Sequence, residues 1–166
     1  IYSNANKMAQ IVDKLRLTLK LEEGKQELIL IPCSMKKLIT TCVSDLKDKY
    51  KNREILIQGD DITLKVDETL ISMAISNLIE NALKYSEDEI IVNISPNSIC
   101  IIDKGIGIEE KELEKINQKF YRISNNGWNN SLELGLFIVQ SVLSLHSFTL
   151  KISSEFKKGS QFCINY

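Results

Sequence analysis

A chain of 166 residues, 43% of them apolar and 26% charged, is long enough for one domain with a sizeable core, or a domain plus an appendage. A net charge of −1 argues against a broad nucleic-acid surface, and no apolar run reaches the about 18 residues that span a bilayer. The four cysteines form no Cys-x-x-Cys pair and His146 is the single histidine, which argues against a zinc site. Cys33, Cys42, Cys100 and Cys163 read instead as buried small hydrophobes of a reducing, cytoplasmic compartment. The chain opens on Ile1 inside a helical pattern and shows no signal peptide. It is therefore expected to be a piece of a longer protein, with any membrane anchor lying upstream.

Residues 1 to about 22 read as one long helix. Ile1, Ala5, Met8, Val12, Leu15 and Leu19 follow a 4-3-4-3-4 spacing, a heptad seam suited to one arm of a helical bundle or homodimer. The competing reading is an amphipathic helix packed on the chain's own core. Gly24 is a plausible stop. Glu27 to Ile31 is a short β-prone run ending at Pro32. Ser34 can cap a helix running to about Tyr50, with Leu38, Ile39, Cys42, Val43 and Leu46 as its apolar stripe. Glu54 to Gln58 and Ile62 to Val66 are short strands flanking the turn signal Gly59-Asp60-Asp61. Asp67 caps the next helix. Glu89 to Ser95 and Ser98 to Asp103 form a hairpin around Pro96-Asn97. Glu109 to about Lys119 is a short polar helix. Residues 123–132 carry four asparagines with Gly127 and Trp128, a long polar segment of the kind that often forms a lid. Gly135 to about Ser147 is an apolar helix, and Phe148 to Ser154 and Ser160 to Tyr166 are strands joined at Lys157-Lys158-Gly159. Strands in pairs with helices between them predict an α+β fold: a two-layer sandwich with a mixed sheet, preceded by one long N-terminal helix.

The helix after Asp67 carries an unusual surface. Helical spacing puts Asn77, Asn81 and Tyr85 on one face with Lys84 beside them, while Ile71, Ile75, Leu78, Ile79 and Ala82 line the other. Asparagine is a poor helix former, so two in mid-helix need a reason. A carboxamide oxygen is a hard neutral ligand that Mg²⁺ accepts, and an adjacent ammonium can meet a phosphate. A solvated helix face is the competing reading. One hairpin later, Asp103 ends a strand just before Gly105-Ile106-Gly107. A carboxylate there needs donors, which an exocyclic amine such as that of adenine supplies. The two glycines permit close backbone approach or positive φ. Glu80 reads as a solvated surface carboxylate, and His146 as a helix C-terminal cation or a packing residue.

Asn77-x-x-x-Asn81-Ala82-x-Lys84-Tyr85-Ser86 resembles the N box of sensor histidine kinases. Asp103-x-Gly105-x-Gly107-Ile108 resembles their G1 box, Phe120-Tyr121-Arg122 their F box, and Gly135-Leu136-x-Ile138-Val139 the end of their G2 box. The four follow the family's order, and the likeness extends across essentially the whole chain. It implies a GHKL-type, Bergerat-fold ATP-binding domain over residues 24–166, preceded at 1–23 by the distal part of the helix of the dimerisation and histidine-phosphotransfer domain. By this resemblance Asn81 holds Mg²⁺ between the phosphates, and Asn77 supports that site or contacts phosphate. Lys84 pairs with a phosphate, Tyr85 lines the ribose and adenine side, and Asp103 takes the adenine amine. Residues 120–135 form the ATP lid, with Arg122 in reach of a phosphate. Asn81 and Lys84 are the residues implied in catalysis. Implied partners are ATP, the chain's own phosphotransfer domain, a second copy in a homodimer and a response regulator, in the cytoplasmic part of a membrane-anchored bacterial receptor.

Two departures stand out. Ser131 and Glu133 occupy places where the family's G2 box carries glycines, and His146 does not match the phospho-accepting position. The implied function is transfer of the γ-phosphoryl of MgATP to a histidine outside these residues. A degenerate, weakly binding regulatory scaffold is one alternative. A non-kinase GHKL ATPase is another; it would need a glutamate general base, for which Glu80 is the candidate.

Overall fold

The computed structural model describes residues 2–116 and 135–166. Phe120, Arg122, Trp128, Ser131 and Glu133, and with them most of the expected lid, lie outside the described residues.

The chain opens with α1 (Tyr2–Glu22). Its end is closed by Gly24 at φ +64°, with Gly24 N–H donating to Leu21 O at 3.3 Å and Lys25 N–H to Lys20 O at 3.0 Å. These paired bonds satisfy two terminal carbonyls, and the left-handed residue they require is a glycine. Next come β1 (Ile31–Ser34) and α2 (Met35–Lys47). Ser34 caps α2, its hydroxyl accepting from Lys37 N at 3.2 Å. β2 (Ile55–Gln58) and β3 (Thr63–Val66) precede α3 (Glu68–Tyr85), whose cap Asp67 accepts from Leu70 N at 3.1 Å. The hairpin β4 (Ile90–Ile94) and β5 (Ser98–Asp103) leads to the short α4 (Glu110–Leu113). α5 (Gly135–Leu145) then feeds β6 (Thr149–Glu155) and β7 (Gly159–Asn165).

Five strands form one sheet in the order β2-β4-β5-β7-β6. β2 runs parallel to β4 and every other pair is antiparallel, so the sheet is mixed. The parallel pair is possible because α3 serves as the crossover between its strands. Alternation along the strands sends Ile90, Val92, Ile94, Ile99, Ile101, Phe162 and Ile164 into the core. Leu38 and Ile39 of α2, Ile75 and Leu78 of α3, and Ile138 and Val142 of α5 meet them from the helical layer. The expected two-layer α+β sandwich with a mixed sheet and a long N-terminal helix is the observed architecture.

Two expectations need correcting, and one turn joins strands of different sheets. The strand expected at Glu27 to Ile31 lies later, at Ile31–Ser34, and includes Pro32. β1 pairs only with β3, so Pro32 lacks no required ladder donor, while upstream Ile29 N–H is taken by the Asp67 carboxylate at 3.0 Å. The strands flanking Gly59-Asp60-Asp61 part company, β2 joining the large sheet and β3 the small one. Finally, Cys100 and Cys163 are not free thiols. They face each other in the β5–β7 register, with Cα atoms 4.0 Å apart, and form a disulfide. Cys33 and Cys42 are buried thiols as expected.

α1 leaves Met8, Val12 and Leu19 of its heptad seam exposed. It packs on the rest of the chain through the buried Thr18, with the seam residue Leu15 and the off-seam Leu17 against the core.

Candidate functional site

α3 displays the expected polar stripe. Leu78, Ile79, Ala82 and Leu83 are buried, and Asn77, Asn81 and Tyr85 share the opposite face. Asn77 is itself buried. Its Nδ2 donates to Met73 O at 3.0 Å within the helix, which turns Oδ1 outward to accept from Lys14 Nζ at 3.2 Å. Asn81 and Tyr85 are half-buried and Lys84 is exposed.

Asp103 is the last residue of β5 and lies on the same face of the strand as Ile99 and Ile101. Only 6% exposed, it accepts from Gly105 N at 2.8 Å. Burial pushes its pKa above the ordinary carboxylate range, and the Gly105 and Ser160 N–H groups offset this only in part. The stripe and the carboxylate are joined by the loop after β5. Ile106 N donates to Tyr85 O at 3.2 Å. A Cβ on Gly105 would stand 2.0 Å from that same carbonyl, so only glycine lets the loop lie against the last turn of α3. Gly107 takes φ +66°, and a Cβ there would stand 2.1 Å from Glu155 O. Ile108 is buried, its N–H given to Ser154 Oγ at 2.8 Å. The close approach and positive φ expected of the two glycines are both present, and what the backbone approaches is the chain's own Tyr85 and Glu155 carbonyls.

Gly135 and Leu136 begin α5 and are half-buried. A Cβ on Gly135 would lie 3.3 Å from Asn77 Oδ1, which brings the start of α5 against the stripe. Asn77, Asn81 and Tyr85, the Asp103 loop and the start of α5 are thus brought to one region. Phe120 and Arg122 cannot be placed relative to it, being outside the described residues.

Glu80 is not the solvated carboxylate expected. Its side chain is 18% exposed, ion-paired to Lys49 and accepting from Tyr50 OH at 3.3 Å, both near the end of α2. Burial pushes its pKa up, but the Lys49 hydrogen bond and charge, helped by Lys84 and Lys14, outweigh this and hold it below the ordinary value. Burial first, and then the Glu80 charge, push the Tyr50 phenol up to about 12. His146 is not a helix-end cation either. Nδ1 lies 2.7 Å from Val142 O while Nε2 accepts from Asp67 N at 3.0 Å, an arrangement that requires the neutral Nδ1–H tautomer. Its ring also packs on Phe148, so the packing reading holds.

Sequence reasoning missed Lys14, which lies 63 residues from Asn77. It also missed Arg53, whose guanidinium donates to Leu83 O at 2.7 Å and Asp88 O at 2.8 Å and ties down the end of α3. No local pattern marks either. Among the described residues there is no group of three or more His, Cys, Asp or Glu side chains placed to hold a metal ion. None of the described helices is long and apolar enough to cross a membrane.

Residues 66–166 match the family model described as histidine kinase-, DNA gyrase B-, and HSP90-like ATPase. Among curated proteins, the phosphate regulon sensor protein PhoR of Pseudomonas aeruginosa is 31% identical, over 98% of this chain and 39% of that protein. The heme sensor protein HssS of Staphylococcus saprophyticus is 26% identical, over 100% of this chain and 37% of its own length. The chain thus spans about two fifths of these relatives. Among solved structures, full-length ShkA in complex with AMPPNP superposes with a TM-score of 0.84 at 19% identity, over 98% of this chain and 36% of that one.

Proposed function

Because the chain belongs to the family of histidine kinase-, DNA gyrase B- and HSP90-like ATPases, an ATP-binding fold, we propose that it is the catalytic part of a two-component sensor histidine kinase. In this reading residues 24–166 bind MgATP and present its γ-phosphoryl to a histidine outside residues 1–166, for relay to a response regulator. Residues 1–23 are the distal part of a dimerisation helix, consistent with the exposed seam positions Met8, Val12 and Leu19. The parent protein is a homodimer anchored at a bacterial membrane, with this part in the cytoplasm.

The observation that carries the reading is the junction of two walls. The Gly105 loop packs on the Tyr85 carbonyl, setting Asp103 beside the end of the Asn77–Asn81–Tyr85 stripe. Asp103 accepts the adenine amine, and Gly105, Gly107 and Ile108 shape the loop beside the ring. Tyr85 lines the ribose side. Asn77, Asn81 and Lys84 face the phosphates, with Gly135 and Leu136 at the start of α5.

The donor set fits Mg²⁺. Asn81 offers one neutral oxygen, of the kind Mg²⁺ accepts when it is held mainly by substrate phosphates and water. When bound, the ion neutralises charge on the phosphates. Transfer of a phosphoryl group needs positioning and charge neutralisation more than a protein nucleophile, and the stripe offers these. The gyrase-like alternative is disfavoured, because Glu80 is held ionised and engaged by Lys49 and Tyr50 on the α2 side.

Calorimetry with MgATP and MgADP on the chain and on Asn81→Asp and Asp103→Asn tests this. Binding to the wild type, with loss in both variants, is expected. No binding at millimolar nucleotide would favour the regulatory scaffold, and steady hydrolysis by the chain itself would favour a non-kinase ATPase. Adding the upstream phosphotransfer helix with its histidine is expected to restore phosphotransfer.

A further inference from the structure

Three strands place a single row of polar side chains at the end of β5. The register sets Ser154 of β6 opposite Ser160 of β7, and Ser160 opposite Asp103 of β5, so the three share the sheet face that bears the core. Ser160 is buried and Ser154 half-buried. The Ser154 hydroxyl is fully engaged. It donates to Gly159 O at 2.9 Å, accepts from Ile108 N at 2.8 Å and lies 2.8 Å from Ser160 Oγ. A hydroxyl has one hydrogen and two acceptor sites. With the Ser154 hydrogen given to a carbonyl, the hydrogen between the two serines is that of Ser160. Ser160 thus turns its hydroxyl hydrogen along the row toward β6 and away from Asp103. Among the described residues, Asp103 is held by the backbone N–H groups of Gly105 and Ser160, with no hydroxyl and no charged side chain added to them.

We propose that Ser154 is a positioning residue of the nucleotide site: it takes up the Ser160 hydroxyl hydrogen and so keeps the Asp103 carboxylate open for the amine of a ligand. The inference rests on the ATP-binding reading above. Directly opposed side chains of an antiparallel pair stand about 5 Å apart at Cβ, close enough for a serine to reach a carboxylate. Without Ser154, the Ser160 hydroxyl has the buried Asp103 carboxylate across the strand as its acceptor, and hydrogen bonds to charged groups are the stronger kind. It then turns to Asp103 and occupies the lone pairs that the adenine amine needs. The same Ser154 oxygen receives Ile108 N–H. One side chain therefore fixes the loop beside the base and holds back the competing donor.

The test has two readouts on the 166-residue chain: titration of the Asp103 carboxyl followed by carbon NMR without nucleotide, and calorimetry with MgATP. Wild type is compared with Ser154→Ala, Ser160→Ala and the variant carrying both changes, with circular dichroism confirming the fold of each. Ser154→Ala is expected to lower the Asp103 pKa, because a hydroxyl now stabilises the charged form. It is expected to weaken ATP about tenfold, the scale of one hydrogen bond to a charged group. Ser160→Ala alone is expected to leave the Asp103 pKa where it is. The double variant lacks the Ile108 anchor but also the competing hydroxyl, and is expected to return the pKa to the wild-type value and recover most of the ATP affinity. If Ser154 only braces the loop, the double variant binds no better than Ser154→Ala. That result, an unchanged Asp103 pKa in Ser154→Ala, or a raised one in Ser160→Ala overturns the proposal. Wild type that binds no MgATP overturns the ATP reading itself, and the pKa pattern still decides where the Ser160 hydrogen lies.

Discussion

Burying Asp103 strips the water its carboxylate needs, and the Gly105 and Ser160 N–H groups do not fully replace it, so its folded pKa stands above the unfolded one. Stability tied to its proton is complete below the unfolded pKa and is lost as pH rises through the folded one. At neutral pH the ionised group is therefore a cost to the empty fold, offset when a donor-bearing ligand arrives. Asp103→Asn retains an oxygen for Gly105 N–H and removes the charge. It is expected to leave thermal unfolding unchanged or shifted upward, while ATP affinity falls by about tenfold or more, the loss of a charged hydrogen bond. A variant that is destabilised yet binds ATP normally would reverse this assignment. Such a residue is legible in sequence as a carboxylate before Gly-x-Gly, but its burial is not, because the Ser160 backbone beside it comes from a strand 57 positions later in the chain.

Between elements, single atoms decide how the layers meet. Gly105→Ala would drive a Cβ to 2.0 Å from the Tyr85 carbonyl, a backbone atom at the end of α3 that cannot rotate away. The loop must lift, and a loss of about 2 kcal/mol or more is expected in denaturant unfolding. Nucleotide binding should weaken in parallel, because the same contact joins the two walls. Glu80 with Lys49 and Tyr50 ties α3 to the segment just after α2. Since Glu80 has a lowered folded pKa, its contribution is present above its unfolded pKa and fades as pH falls through the folded one. Glu80→Gln is expected to cost about 1 kcal/mol at pH 7, allowing for the exposure of Lys49. The gap from wild type should close in acid, as followed by urea midpoints from pH 7 to pH 3. Helix periodicity foretold the Asn77, Asn81 and Tyr85 face. It said nothing of Glu80's partner, since an exposed-looking glutamate one step off the stripe becomes half-buried only when α2 packs beside it.

Across the whole molecule, the Cys100–Cys163 disulfide ties the strand that ends in Asp103 to β7, closing a sequence separation of 63 residues. A loop of that length corresponds to about 4 kcal/mol in the chain-entropy account. Unfolding midpoints are expected to drop in dithiothreitol, whereas a Cys100→Ser, Cys163→Ser double variant should show the lower midpoint and no response to reductant. Equal midpoints for wild type with and without reductant would count against the bond. The sequence by itself determined the order of helices and strands, the caps at Ser34 and Asp67, and the polar face of α3. These depend on periodicity and on neighbours a few residues away, so they are written locally. Only the tertiary structure decided that β2 and β3 enter different sheets and that His146 stays neutral against Asp67 N–H. It alone paired Cys100 with Cys163 and set Lys14 on Asn77. Each of those depends on which distant backbone or side chain comes within hydrogen-bonding or bonding reach once the apolar faces have closed on one another, and that distance is a property of the packed chain.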